Sequence, residues 1–142
     1  MLKNISPLIS PQLLKVLCEM GHGDEIVLAD ANFPSESIGK CNQIIRADGI
    51  GVVDLLNAIL PLFPLDQYVT ETFMVMDLVE GDTYKPVIWE DFKEVISKYE
   101  PEHKITYIER DEYYERAKKA YAVVATGEKA QYANVILKKG VI

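Results

Sequence analysis

The apolar segment EIVLADA, residues 25–31, most constrains the fold that this chain can adopt. It has the length of a β-strand and lacks a clean alternation of polar and apolar residues. Such runs are typical of strands that are buried on both faces. The segment therefore predicts a central strand of a sheet that is covered by other elements.

Predicted helices and strands alternate along most of the chain. Ser10 followed by Pro11 predicts the start of a first helix that ends near Met20, with Gly21 supplying a left-handed turn. Asp48 is predicted to cap a second helix, and residues 32–42 are predicted to form an irregular loop. Further helices are predicted over 87–99 and 111–120, and further strands over 43–46, 70–78, 104–108, 121–126 and 131–137. The alternation predicts an α/β domain with helices packed on a mainly parallel sheet.

Composition limits the domain count and the partners. With 142 residues and 49% hydrophobic residues, the chain fits one domain, residues 1–142, with a core that needs no disulfide. The formal charge of −7 opposes binding to nucleic acid or to an anionic membrane. Cys18, expected to be buried or half-buried in the first helix, and Cys41 are predicted to be free thiols in a reducing compartment. No apolar run is long enough to cross a bilayer and no signal peptide is evident, so we expect a cytoplasmic protein.

His22, in the stretch GHGDEIVLADANFP, has two possible roles. It follows a predicted helix, where an imidazolium interacts favourably with the helix dipole. Alternatively, the flanking glycines Gly21 and Gly23 leave the imidazole accessible, and Asp30 lies near the far end of the next strand, where open α/β sheets usually place their sites. His22 and Asp30 could then act together as acid and base. The spacing alone leaves both interpretations open.

Motifs for other chemistries are missing from the sequence. His22, Asp24, Asp30 and His103 are possible metal ligands, but their spacing matches no known ligand pattern, so we predict no metal. The sequence contains neither a phosphate-binding glycine loop nor a G-x-S-x-G elbow. The carboxyl-terminal third is rich in tyrosine, and a tyrosine ring with its hydroxyl suits either sugar recognition or core packing.

Three long stretches carry a resemblance to a known family. The segments SPLISPQLLKVLCEMGHGDEIVLADANFP, IRADG and YERAKKAYAVVATGEKAQYANVILKKG resemble the FucU/RbsD sugar mutarotases, whose two branches act on fucose and on ribose. The resemblance runs over almost the whole chain and is weakest across about residues 65–105. It implies a three-layer αβα sandwich and a cofactor-independent isomerase that interconverts the α and β anomers of a free sugar. It also implies a ring-like homo-oligomer, a decamer, with the sugar cleft at subunit contacts.

The same resemblance implies roles for six residues. His22 corresponds to the family's presumed proton donor, and Asp30 corresponds to an aspartate that contacts the sugar. The remaining substrate-binding positions are Arg110 and the triplet Tyr132, Ala133 and Asn134. Ala133 replaces a family glycine, so a backbone contact there requires dihedral angles that tolerate a Cβ atom. Asn32 replaces the family's usual histidine.

The expected reaction is ring opening and closure by general acid and base catalysis. The stretches MGHGDE and LKKG resemble the fucose branch, so L-fucose is the expected substrate in fucose metabolism. D-ribose or another aldose is the alternative within the enzyme class. A non-catalytic monosaccharide-binding protein is the alternative from another class.

Overall fold

The protein is described over residues 1–142 by a computed structural model whose centre is a six-stranded sheet. The strands are β1 (Glu25–Ala29), β2 (Gln43–Ala47), β3 (Phe73–Met76), β4 (Ile105–Ile108), β5 (Ala122–Thr126) and β6 (Val135–Lys138). Their order across the sheet is β2-β5-β1-β6-β3-β4. The β1–β5, β2–β5 and β3–β4 pairs are parallel, whereas β6 is antiparallel to both β1 and β3. Five strands therefore share one direction, which confirms the prediction of a mainly parallel sheet with β1 inside it.

Helices cover both faces of the sheet. They are α1 (Pro11–Glu19), α2 (Ser35–Ile38), α3 (Val52–Ile59), α4 (Ile88–Tyr99) and α5 (Arg110–Lys119). Buried residues of α1, α3 and α4 join one apolar cluster, and those of α5 join a second cluster on the opposite face, against which α2 packs through Ile38. The three-layer αβα arrangement is thus confirmed. None of the helices combines the length and the apolar character needed to cross a membrane.

The end of α1 sets the position of the segment that contains His22. Ser10 caps the helix as predicted, because its Oγ accepts a hydrogen bond from the N–H of Leu13 at 3.1 Å. At the other end, Lys139 Nζ donates to the carbonyl oxygens of Leu17 and Met20, both at 2.6 Å. The left-handed residue of the following turn is Gly23, with φ of +86°, and not Gly21 as predicted. The turn therefore reverses the chain just after His22.

Three further local predictions need correction. The segment 32–42 contains the short helix α2 and is not wholly irregular. Asp48 pairs with Arg46, and α3 begins later, where the N–H of Val52 donates to Glu128 Oε2 at 3.2 Å. The cap of α3 therefore comes from a residue distant in sequence, which local patterns do not reveal. Cys18 is exposed and not buried, because it lies on the solvent face of α1.

Candidate active site

The direction of the strands gives the sheet two different edges. We call the edge where the five parallel strands end the carboxyl edge, and the opposite edge, where they begin, the amino edge. Asp30 directly follows β1 at the carboxyl edge, and Arg110 begins α5 just after β4 at the same edge. Tyr132 and Asn134 reach this edge because they precede β6, which runs in the opposite direction. The topology therefore brings together residues that are up to 104 positions apart.

A cavity of about 330 Å³ lies at the carboxyl edge. It contains four of the six residues for which the sequence suggested a role, namely Asp30, Arg110, Tyr132 and Asn134. Its remaining lining residues are Asn32, Phe33, Met76, Val79, Tyr114 and Gln131. Carboxylate, amide, guanidinium and phenol groups thus face an apolar wall, which is the combination expected of a pocket for a small polar ligand with one apolar face.

Asp30 and Asn134 form a reciprocal pair in this cavity. Asn134 Oδ1 accepts from the backbone N–H of Asp30 at 2.8 Å, and Asn134 Nδ2 donates to Asp30 Oδ2 at 2.9 Å. The other carboxylate oxygen, Oδ1, accepts from the N–H of Asn32 at 2.9 Å. Both side chains are buried. The carboxylate is therefore held rigidly by these hydrogen bonds.

Burial raises the pKa of the Asp30 carboxyl above its usual range, although the hydrogen bonds from Asn32, Phe33 and Asn134 oppose the shift. Desolvation disfavours the charged form of a carboxyl group, and hydrogen-bond donors favour it. No cation lies against the carboxylate to reverse the balance. Asp30 is thus a carboxyl group whose protonation can respond to what binds beside it.

Tyr132 is held by contacts on three sides. Its backbone has the uncommon φ of +58°, and its carbonyl oxygen accepts from Trp89 Nε1 at 2.9 Å. Its hydroxyl donates to Asp82 Oδ2, and this hydrogen bond raises the pKa of the Tyr132 phenol. Its ring stacks on Tyr84 with centroids 6.0 Å apart. The left-handed backbone at Tyr132 also explains why β6 begins at Val135 and not at 131 as predicted.

Arg110 and two aromatic rings form another wall of the cavity. The guanidinium carbon of Arg110 lies 5.6 Å from the ring centroid of Tyr114, and Tyr114 in turn stacks on Phe33 at 5.7 Å. Glu109 fixes the start of α5 because its side chain accepts from the N–H groups of Asp111 and Glu112. A cation over an aromatic face is a favourable arrangement. It keeps the exposed Arg110 side chain at the rim of the cavity.

Ala133 does not line the cavity. Its side chain is fully buried in the core on the α1, α3 and α4 side of the sheet. Its φ is not positive, since Tyr132 is the left-handed residue of the triplet. The methyl group that distinguishes Ala133 from glycine is therefore accommodated without backbone strain.

His22 lies at the amino edge, away from the cavity. Its Nε2 is 3.1 Å from Asp66 Oδ1, and its ring lies 5.5 Å from the ring of Tyr68. The five residues of β1 separate His22 from Asp30, a span of about 16 Å at about 3.3 Å per residue. The idea that His22 and Asp30 of one chain act together is therefore wrong for the isolated chain. The half-exposed imidazole instead pairs with a different aspartate.

Sequence reasoning missed two groups of residues at these positions. Met76 and Val79 reach the cavity because Met76 is the last residue of β3 and Val79 follows that strand, a signal that the predicted parallel sheet already contained. Asp66 lies in a segment without periodicity between two predicted elements, and nothing local connects it to His22. The structure brings together no group of three or more metal-ligating side chains of His, Cys, Asp or Glu.

The chain is similar over almost its whole length to several proteins of known structure. A solved structure of a fucose mutarotase in complex with L-fucose, from Streptococcus pneumoniae, is 53% identical, with a TM-score of 0.92 and 99% of each chain covered. FucU from Bifidobacterium longum is 51% identical, with a TM-score of 0.96 and the same coverage. Bacillus subtilis RbsD complexed with D-ribose is 25% identical, with a TM-score of 0.75, covering 100% of this chain and 99% of the other. The model of the RbsD / FucU transport protein family matches residues 3–142, and the chain therefore belongs to that family.

Proposed function

We propose that the protein is an L-fucose mutarotase, an isomerase that interconverts the α and β anomers of the free sugar without a cofactor. The observation that carries the proposal is the 53% identity, over 99% of both chains, to a fucose mutarotase in complex with L-fucose. The cavity supports it, because its polar groups suit sugar hydroxyls and its Phe33, Met76 and Val79 wall suits an apolar face of a monosaccharide. A neutral sugar also needs no electrostatic steering by a chain of charge −7.

Anomer exchange requires two proton transfers. A base removes the proton of the anomeric hydroxyl while an acid protonates the ring oxygen, so the ring carbon–oxygen bond breaks and an open-chain aldehyde forms. Rotation about the adjacent carbon–carbon bond and the reverse transfers then close the ring as the other anomer. We assign His22 as the principal acid and base, since an imidazole side chain can both donate and accept a proton. We assign Asp30 and Asn134 to hydrogen bonds with the sugar hydroxyls. Arg110 and Tyr132 hold the pyranose ring in place.

We infer that a second copy of the chain supplies His22 to each cavity. Within one chain the two lie at opposite edges of the sheet, whereas a head-to-tail contact between copies would bring an amino edge to a carboxyl edge. Exposed apolar side chains occur at both places, with Tyr68 and Val69 beside His22, and Val79 and Tyr84 beside the cavity. Head-to-tail contacts generate rings when the rotation closes. We therefore propose a ring-like homo-oligomer, with the decamer that the family resemblance implies.

We also place the protein in the cytoplasm. Cys18 and Cys41 are both free and exposed. Exposed free thiols persist in a reducing compartment and form disulfides in an oxidising one. The two cysteines are therefore the support for this location.

NMR exchange spectroscopy on the anomeric protons of L-fucose tests the proposed activity. Wild-type protein is expected to accelerate the exchange, and His22→Ala is expected to lose roughly a hundredfold or more, because a positioned acid or base contributes about 10² to 10⁴ in rate. His103→Gln is the matched control. His103 is the other histidine of the chain, and its ring bonds Thr72 and lies near Glu100, far from the cavity residues.

The remaining outcomes separate the alternatives. Exchange in His22→Ala as fast as in the wild type would show that the assigned histidine is wrong. Saturable binding of L-fucose without accelerated exchange would identify a binding protein. Faster interconversion of D-ribose than of L-fucose would move the substrate to the other branch of the family.

A further inference from the structure

The turn of residues 79–82 connects the wall of the cavity with an aspartate outside it. The carbonyl oxygen of Val79 accepts from the N–H of Asp82 at 2.9 Å, and Gly81 between them has φ of +83°. A positive φ at the third residue of a turn is a conformation that glycine adopts without strain. Val79 lines the cavity, whereas Asp82 does not. The turn therefore fixes Asp82 just behind the rim.

The two carboxylate oxygens of Asp82 have different partners. Oδ1 accepts from the N–H of Tyr84 at 2.9 Å, and Oδ2 accepts from the hydroxyl of Tyr132. Both hydrogen bonds hold the pKa of the Asp82 carboxyl below its usual range, with the larger effect from Tyr132. Asp82 is thus a carboxylate at neutral pH, and a carboxylate can only accept a hydrogen bond.

The same segment also holds the ring of Tyr132. Tyr84, which follows Asp82 by two positions, stacks on that ring with an angle of 24° between the ring planes. Trp89 packs edge-on against its other neighbours, with its ring centroid 6.4 Å from that of Tyr132. The phenol is therefore directed at Asp82 by contacts with both its ring and its oxygen.

A phenol carries a single hydroxyl proton and can also accept hydrogen bonds through its oxygen. The Tyr132 proton is directed to Asp82, so toward any other group this oxygen is an acceptor. Arg110, which shares the cavity with Tyr132, can only donate. A sugar hydroxyl that bonds Arg110 must therefore accept from it, whereas one that bonds Tyr132 must donate to it.

We propose that Asp82 is a positioning residue of Tyr132, taking the phenol proton so that Tyr132 receives a hydrogen bond from a hydroxyl group of the sugar. The inference rests on the proposed function, since it assumes that Tyr132 holds the sugar. Asp82 has no contact with the sugar and acts only through Tyr132. The pair thereby selects a sugar with a hydroxyl donor at this place in the cavity.

Infrared spectroscopy of the tyrosine C–O stretch tests the hydrogen bond without an activity measurement. The band distinguishes a phenol that only donates from one that donates and accepts, and subtraction of the Tyr132→Phe spectrum isolates the band of Tyr132. Saturating L-fucose is expected to shift this band from the donating to the donating-and-accepting position. In Asp82→Ala the band without sugar is expected to show weaker donation. An unchanged band in Asp82→Ala, or loss of donation when L-fucose binds, would overturn the proposal.

A double-mutant cycle tests whether Asp82 acts through Tyr132. Asp82→Ala and Tyr132→Phe are each expected to lower kcat/KM for L-fucose exchange about tenfold, the effect of roughly one hydrogen bond. The double variant is expected to match Tyr132→Phe alone, because without the hydroxyl Asp82 has nothing left to orient. A double variant that shows the product of the two single losses would contradict the proposal.

Asp48→Ala is the matched control for the kinetics. Asp48 is another exposed aspartate that bonds a side chain, Arg46, and it does not line the cavity. Its variant is expected to keep wild-type kcat/KM. Circular dichroism and thermal unfolding establish that each variant is folded.

The outcomes separate this inference from the proposed function. If the wild type does not accelerate exchange, the proposed function fails, and the infrared band without sugar still reports whether Tyr132 donates to Asp82. If the wild type is active and folded Asp82→Ala keeps both kcat/KM and the Tyr132 band, Asp82 has no positioning role.

Discussion

The pKa values of two buried aspartates, Asp30 and Asp66, are shifted in opposite directions. Burial raises the pKa of Asp30, whose hydrogen-bond donors are neutral amides. The pKa of Asp66 is lowered by the N–H of Tyr68 and then by the hydrogen bond from His22, with a smaller contribution from the charge of Lys138. The difference arises because desolvation is the largest effect on the pKa of Asp30, whereas the hydrogen bond from the Tyr68 N–H is the largest effect on the pKa of Asp66.

These directions predict opposite effects of pH on stability. A raised pKa in the folded state contributes stability below the ordinary carboxyl pKa of about 4, and this contribution is lost as pH rises through the folded pKa. A lowered pKa contributes stability above about 4, and this is lost as pH falls through the folded pKa. Relative to the wild type, Asp30→Asn is therefore expected to gain free energy of unfolding as pH rises from about 3 to 7, and Asp66→Asn to lose it.

Urea unfolding of the three proteins across this pH range measures both slopes. Each variant is the control for the other, because the substitution is the same and both positions are buried. Slopes of the same sign for the two variants, after subtraction of the wild type, would contradict the assignment of opposite pKa shifts.

At the residue scale, the sequence predicted the cavity residues better than it predicted the residues that hold functional side chains in place. Asp30, Tyr132 and Asn134 lie in long stretches that resemble the family, and the structure places all three at one cavity. Asp66 and Asp82 contact His22 and Tyr132 respectively, and each lies in a segment without a sequence pattern. Each contacts a residue more than 40 positions away. Such pairings depend on tertiary structure, which local sequence does not contain.

At the scale of elements, helices with local caps were predicted well and those with distant caps were not. Ser10 and Pro11 fix the start of α1 from within the helix itself. The start of α3 depends on Glu128, which is 76 positions away, so the sequence suggested Asp48 instead. The sheet order was not predictable in the same way, because β6, the last strand in the sequence, lies between β1 and β3 in the sheet.

Residues 64–66 are hydrogen-bonded to the end of β6 and to Gly140 just after it, and this contact gives a prediction at this scale. Gly140→Ala places a methyl group against the backbone of Leu65 and Asp66 and forces the two segments apart. We expect the free energy of unfolding to fall by about 1 to 3 kcal/mol, as for other overpacked positions. Activity is expected to fall as well, because Asp66 moves away from His22.

Gly49→Ala is the matched control for this substitution. Gly49 has φ of +83° and open space where a Cβ would lie, so its cost comes from the backbone alone, about 1 to 2 kcal/mol. Urea unfolding and L-fucose exchange are measured for both variants. A loss of stability in Gly140→Ala with full activity would show that the strand contact does not position the pair.

At the scale of the whole molecule, β1 separates the proposed acid and base from the proposed sugar cavity. His22 precedes the strand and Asp30 follows it, so one chain cannot bring them together without breaking the pairing of β1 with β5 and β6. The sequence suggested a common cleft because both residues lie in one stretch of fourteen positions. Proximity in sequence corresponds here to opposite edges of the sheet.

Mixing two inactive variants tests whether neighbouring copies share a site. His22→Ala retains an intact cavity, and Asp30→Asn retains an intact histidine. If each site combines His22 of one copy with the cavity of the next, co-refolding equal amounts leaves about a quarter of the sites with both native residues. Exchange of L-fucose anomers is then expected to recover to about a quarter of the wild-type rate, whereas either variant refolded alone stays inactive. Native mass spectrometry establishes that mixed oligomers form. Mixed oligomers without recovered activity would contradict a site shared between copies. In a mixed ring, a native His22 can act on a cavity with native Asp30 only if the two residues come from different chains.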